Sequence, residues 1–188
     1  MNKKVVLVRE AEDRRVLRTR GALTVALVDL VMRKSYARIT IQDLLDRSGV
    51  GRATFYKHYR GKDDLLLRSF QRMLGSLDAA IDADPKGARR IAPVRELFHH
   101  IRHAWEFHRR LSLSPVIDHV YRSGVDVMAA TIERRLASRG VPGKPVPHAV
   151  AARAHAGALF ALLQWWVDTG APHTPEEMDR MFHAQIGA

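Results

Sequence analysis

The chain has 188 residues, 46% of them hydrophobic and 27% charged, enough for one or two small domains with a sizeable core. It holds no cysteine, which excludes structural disulfides and thiolate metal sites, and no apolar run nears the roughly 18 residues of a membrane span. The formal net charge of +11 is concentrated: residues 1–62 carry 15 Lys and Arg against 6 Asp and Glu, whereas residues 63–188 carry 16 against 14. That asymmetry is the footprint of a nucleic-acid-binding module joined to a body with another task. The opening MNKKVVLVRE has an apolar run only from Val5 to Val8, too short for a secretory segment, so a soluble cytoplasmic protein with no membrane partner is expected.

In chain order, Val16, Leu23, Ala26, Leu27, Leu30 and Val31 fall at helical spacing and predict a helix over about 13–34. Thr40 is placed to cap a second helix, because its hydroxyl can accept from the free N–H groups of the first turn. Asp43 stands three residues on, where a capping box more often has Glu or Gln. Leu44 and Leu45 anchor this helix, and Gly49 permits the left-handed residue that ends it. A third helix over about 52–59 puts Phe55 and Tyr59 on one face, and RGKDD breaks the chain before a long fourth helix with the stripe Leu66, Phe70, Met73, Leu74, Leu77 and Ile81. DADPKG ends that one.

A fifth pattern follows at Val94, Leu97, Phe98, Ile101 and Trp105, and a sixth begins near Pro115 with Val116, Ile117, Val120 and Tyr121. Gly124 is read as a separator before a seventh, which carries Met128, Ile132 and Leu136. RGVPGKPVP is the strongest breaker in the chain. Beyond it come a long apolar helix over about 148–168 and a last one over about 174–185. No alternation of strand type, repeat or low-complexity tract occurs, so the fold is expected to be all-α with about nine helices. Residues 1–62 would form an N-terminal DNA-binding domain and residues 63–188 a helical regulatory and dimerisation domain.

Two short helices about a glycine turn, the second basic and aromatic, have the pattern of a helix-turn-helix reader. The stretch ITIQDLLDRSGVGRATFYKHYRGKDDLL, residues 39–66, closely resembles the DNA-binding segment of TetR-type transcriptional regulators. The tail LLQWWVDTGAPHTPEEM, residues 162–178, is similar to a branch of that family whose penultimate helix ends in two tryptophans and whose members include regulators of dihydroxyacetone metabolism. The resemblance implies a DNA-binding surface at Thr40, Gly51, Arg52, Ala53, Thr54, Tyr56, Lys57, His58 and Lys62. Physically, Arg52 could grip guanine with its planar fork and Thr54 could offer a hydroxyl or a methyl. Tyr56, Lys57 and His58 would stand at phosphate height, and Lys62 would open the fourth helix beside a phosphate. Gly51 departs from the Ser or Thr of many relatives, which removes one phosphate-bonding hydroxyl.

In the resembled family the last two helices pair with their twins across a twofold axis. Here that implies a homodimer seam at Ala151, Ala154, Ala158, Ala161, Leu162, Trp165, Met178 and Phe182, where small residues allow close approach and tryptophan supplies area. A twofold dimer also suits a short reading helix, which covers only one half of a palindromic operator.

In the body, Phe98, Trp105, Phe107, Tyr121 and Met128, with Arg102 and His103 as polar contacts, are candidates to line a small-molecule effector site. The same side chains would equally fill a solid core. Nine of the ten histidines lie in the body, and His99 and His103 have the i, i+4 spacing that can hold zinc, without a third ligand at an obvious spacing. Hydrolase and phosphate-loop motifs are lacking, so no metal, no cofactor and no enzymatic activity are expected. The sequence thus reads as a DNA-binding transcriptional regulator, a repressor released by a ligand. An architectural or cell-division DNA-binding protein on the same fold and a His-rich metal-dependent enzyme stand as alternatives.

Overall fold

The computed structural model describes residues 3–83, 90–138 and 146–186, with side chains from Arg14 onward in the first helix. The described residues form nine α-helices, one 3₁₀ turn and no strand, the all-α fold that the periodicity predicts. The chain divides into two compact units, Met1–Ser69 and Phe70–Ala188.

The first unit begins with α1, Lys3–Arg33, which starts well before the expected residue 13 because neither Gly nor Pro interrupts its first turns. A 3₁₀ turn at Tyr36–Arg38 leads into α2, Ile41–Ser48, and α3, Arg52–His58, follows a three-residue link. Leu23, Leu27, Leu44, Phe55 and Leu65 are each 1% exposed or less and form the heart of this small core. The fourth helix, α4, runs Lys62–Asp82 through the boundary between the units.

In the second unit, α5 is Val94–His103, α6 is Trp105–Ser112, α7 is Val116–Ser138, α8 is His148–Asp168 and α9 is Pro175–Gln185. The number of helices agrees with the sequence reading, but the partition differs in two places. The chain breaks at Ala104, whose φ of −103° and ψ of 34° are not helical, so Trp105 opens α6 and does not close α5. Gly124 does not separate two helices. It lies inside α7, and its lack of a side chain serves packing: a β-carbon there would stand 2.3 Å from Phe160 Cζ and 2.9 Å from Phe70 Cε1. The breakers DADPKG and RGVPGKPVP fall mostly outside the described residues, on either side of the observed ends of α4 and α8.

Two aromatic groups stand in the second unit. Phe98 and Trp105 meet Trp166 at ring distances of 5.0 and 5.7 Å, while Phe70 and Tyr121 meet Phe160 at 6.2 and 5.9 Å. Such edge-on and tilted pairs add to the stabilisation of simple burial. Trp166 is fully buried and satisfies its indole N–H on the carbonyl of His173, 2.8 Å away.

A polar network, not evident in the sequence, ties the unit together. Arg135 of α7 donates to Asp78 and Asp82 of α4 at 2.5 and 2.8 Å, and to the carbonyl of Arg90 at 3.2 Å. Arg90 in turn donates to Glu96 of α5 and Asp179 of α9 at 2.6 and 2.8 Å.

Candidate nucleic-acid interface

The turn between α2 and α3 is built by local chemistry. Thr40 accepts from the Asp43 N–H at 3.1 Å, and the Asp43 carboxylate accepts from the Thr40 N–H at 2.7 Å, so aspartate completes a reciprocal capping box. Lys34 at 2.7 Å, together with the N–H and hydroxyl of Thr40, holds the Asp43 carboxyl far below the usual carboxylate range. Gly49 closes α2 at φ 68°, a backbone that favours glycine, and donates its N–H to the Leu45 carbonyl. Gly51 then caps α3 in an extended conformation without a side-chain bond.

Helix α3 has two faces. Phe55 and Tyr59 point inward, 0% and 2% exposed, with ring centroids 5.8 Å apart. Arg52, Ala53, Tyr56 and Lys57 are exposed on the other side, while Thr54 and His58 are partly buried at the edge. Tyr56 is 49% exposed, which sets it on the outer face and not in the core. Burial lowers the His58 pKa, and the charges of Arg20 and Lys57 add to this, so the ring is a neutral donor and acceptor near neutral pH.

Arg52 does not stand free. Its Nη2 donates to Gln42 Oε1 of α2 at 2.8 Å, and the Gln42 amide donates to Asp46 Oδ1 at 2.8 Å. The sequence reading missed Gln42. The only signal available was its exposed position at the start of α2, beside the turn.

Lys62 departs from its expected role. Its ammonium donates to the carbonyls of Tyr36, Ala37 and Ile39 at 2.9, 3.2 and 2.8 Å and lies 4.7 Å from the centre of the Tyr36 ring. All three ammonium hydrogens therefore have partners within the unit. The neighbouring carboxylates are engaged too, Asp63 by the Tyr36 hydroxyl at 2.6 Å and Asp64 by the Arg60 N–H at 3.0 Å. Lys62 ties the 3₁₀ turn to the start of α4, and a phosphate would have to displace those bonds to claim it.

A second surface belongs to α8 and α9. Val150 and Trp165 of α8 are 58% and 44% exposed, and Ala154 and Ala161 are exposed between them at helical spacing, a run of small and apolar side chains; Met181 of α9 is 44% exposed. Ala151, Ala158 and Leu162 are partly buried beside it. Met178 and Phe182, expected at the same face, are instead core residues at 1% and 0% exposure. They occupy the i, i+4 stripe by which α9 packs on α5, and Met181 takes the outward position.

The candidate effector residues do not form one group. Phe98 and Met128 are fully buried, Trp105, Phe107 and Tyr121 are partly buried, and Arg102 and His103 are exposed. The buried stripe of α5 is Val94, Leu97, Phe98 and Ile101, which turns residues 102 and 103 to the other side. His99 pairs with Glu176 at 2.6 Å. Among the described residues no three His, Cys, Asp or Glu are placed to share a metal ion, and no helix is long and apolar enough to cross a membrane.

Two helices at a glycine turn, the second fixed by two buried aromatics and studded outward with donors, define a helix-turn-helix reader of the kind whose second helix enters the major groove. Residues 23–68 match the family model described as bacterial regulatory proteins, tetR family. An uncharacterized HTH-type transcriptional regulator of Bacillus subtilis, YxbF, is 51% identical over 61 residues, 32% of this chain and 16% of YxbF, so the likeness spans only a small part of that relative. Among solved structures, the dihydroxyacetone kinase operon activator DhaS aligns over 89% of this chain and 93% of its own, with a TM-score of 0.66 and 14% identity. A Syntrophomonas wolfei protein assigned to the TetR-family transcriptional regulators aligns over 90% and 93%, with a TM-score of 0.67 and 23% identity. At those identities the likeness is one of fold. The matched family and these similar proteins are described as transcriptional regulators.

Proposed function

We propose that the chain acts in the cytoplasm as a homodimeric transcriptional regulator that reads a palindromic operator through α3. The exposed face of Arg52, Tyr56 and Lys57, held rigid by buried Phe55 and Tyr59, carries this reading. Its donors differ in length and geometry, as needed when phosphate contacts fix register and base contacts select sequence. Ala53 and Gly51 add no bulk at the helix start, so the backbone can come close to the duplex. Dimerisation is supported by the exposed small and apolar residues Val150, Ala154, Ala161 and Trp165, which recur at helical spacing along α8.

Selection of bound sequences from a pool of random duplexes by the full chain tests the reading. A palindrome with steeply salt-dependent affinity is the expected product. Recovery of no shared sequence, or binding to dispersed sites without a motif, would favour an architectural protein instead. A reporter downstream of the selected sequence then gives the sign. We take it as repression, because a dimer seated on an operator obstructs transcription without further machinery. Expression that falls when the chain is removed would overturn this and match the activator role named for DhaS. An effector belongs to the second unit in this proposal, beside the partly buried Trp105, Phe107 and Tyr121, and would act by favouring one conformer over another. Release of the duplex by metabolites, watched with tryptophan fluorescence, tests that part.

A further inference from the structure

We propose that Gln42 is a positioning residue for sequence reading: it sets the pose of Arg52 and, through it, the base preference at the position Arg52 meets. This rests on the reading of Arg52 as a base contact. The geometry is a relay of three exposed side chains. Arg52 Nη2 donates to Gln42 Oε1 at 2.8 Å, and Gln42 Nε2 donates to Asp46 Oδ1, one helical turn further along α2, also at 2.8 Å.

The two ends of the relay fix the amide in the middle. A guanidinium offers only donors, so it requires the amide oxygen; an ionised carboxylate offers only acceptors, so it requires the amide nitrogen. Turning the amide over would set donor against donor and acceptor against acceptor. Asp46 therefore orients Gln42, and Gln42 orients Arg52. The arrangement also limits what Gln42 can do itself. Glutamine reads adenine with its oxygen and nitrogen together, and here both are engaged within the protein. The Arg52 fork has five N–H groups, and the bond to Gln42 uses one nitrogen, leaving the other edge for guanine O6 and N7. A long side chain held in one pose before binding loses less freedom on binding, which is the source of the expected effect.

The full chain and three variants, Gln42→Ala, Gln42→Glu and Arg52→Ala, are taken through selection on a random duplex pool. Affinities are then measured for the preferred duplex and its single-base-pair replacements. Position 42 is exposed on a helix, so these variants should fold, and circular dichroism checks that they do. Arg52→Ala is expected to abolish a preference of roughly 5- to 150-fold at one base pair per half-site. Gln42→Ala should weaken the preference at that same base pair by roughly 2- to 12-fold with the salt dependence unaltered. The double variant should match Arg52→Ala alone. Gln42→Glu retains an acceptor oxygen for Arg52 but loses the donor to Asp46, so it should keep more of the preference than Gln42→Ala while lowering affinity for all duplexes. Loss of preference at a different base pair in Gln42→Ala would make Gln42 a direct reader and overturn the inference. So would an unchanged preference in Gln42→Ala, or a Gln42→Glu that behaves like Gln42→Ala. If Arg52→Ala alters no preference, the base-contact reading of Arg52 fails first and the inference falls with it.

Discussion

The Phe160 ring occupies the space beside Gly124 so closely that a β-carbon on that glycine would lie 2.3 Å from Cζ and 2.5 Å from Cε1. Phe160 cannot retreat easily, since Phe70 and Tyr121 stand against it and it is 3% exposed. Helix propensity alone would make alanine the better residue here. Packing decides otherwise, and Gly124→Ala is expected to destabilise the chain by about 1–3 kcal/mol. Gly75, exposed on α4 with nothing within 4 Å of its would-be β-carbon, is the control: Gly75→Ala should stabilise by about 0.5–1 kcal/mol. Urea unfolding of the two variants should shift in opposite directions.

Arg135 and Asp78 are 9% and 8% exposed, an ion pair mostly withdrawn from water. Arg134 also reaches Asp78 at 2.5 Å, but its side chain is 60% exposed and contributes less. Arg135→Met would keep the apolar stem and leave Asp78 buried with weaker compensation. The expected loss is about 3 kcal/mol, the lower end for breaking a buried pair. The double variant Arg135→Met with Asp78→Leu should recover much of it, because the pair removed together leaves no orphan charge. Thermal unfolding of the three chains checks both statements.

What the sequence made legible was local. Thr40, Gly49 and the pair Phe55 and Tyr59 act through residues within four positions, so spacing alone announces them. The span of α8 was legible too, since its apolar run lies between a Pro-rich loop and Thr169. Gly124 was misread because a helix-weakening residue and a packing requirement look alike until Phe160, 36 positions away, is in place. Met178, Met181 and Phe182 were hard to sort because apolar character marks both a core stripe and an exposed face, and only the neighbour α5 distinguishes them. The partners of Lys62 and Arg135, and the Arg52 that Gln42 holds, lie 10 to 57 positions away, beyond any periodicity.

Glu96 gives the second unit an acid-sensitive stabilisation. Burial alone would raise its pKa, but the bidentate Arg90 guanidinium, with Arg95 beside it, holds it down to about 2 against the usual 4.5. A depressed folded-state pKa means the contribution is complete above about pH 4.5 and is lost as pH falls toward about 2. Glu96→Gln should therefore lower stability at neutral pH and flatten its fall across that acid window. Urea midpoints followed from about pH 6 to about pH 2.5 measure this. A variant as acid-sensitive as the parent would place the sensitivity elsewhere.

Lys57 and Lys62 should separate two roles that a basic sequence blurs. Lys57 is exposed on the reading face, so Lys57→Ala should weaken all duplexes alike and reduce the salt slope by about 0.9 per protomer. Lys62 holds three carbonyls, and Lys62→Ala would leave part-buried acceptors without their donor, at a cost of about 1–3 kcal/mol in stability. Its effect on DNA affinity should follow the loss of folded reader and leave the salt slope unchanged. A Lys62→Ala chain of full stability with a reduced slope would return Lys62 to the phosphates.

The face of α8 and α9 offers the sharpest test of assembly, because the reader can be left untouched. Ala161 is exposed between Val150 and Trp165, and Ala158 is partly buried beside it. In a lone chain, Ala161→Arg would simply add a solvated side chain and change stability by less than about 0.5 kcal/mol. In a close-packed twofold seam it would bury a charge without room or a partner. Sedimentation of Ala161→Arg is therefore expected to show a monomer where the parent is a dimer. Operator affinity should fall because two half-sites are no longer read together, while the helical signal stays that of the parent. Met178→Ala and Phe182→Ala should behave differently, since these side chains are core residues: they should destabilise by about 2–5 kcal/mol and affect assembly only through folding. An Ala161→Arg chain that remains dimeric would move the seam off this face.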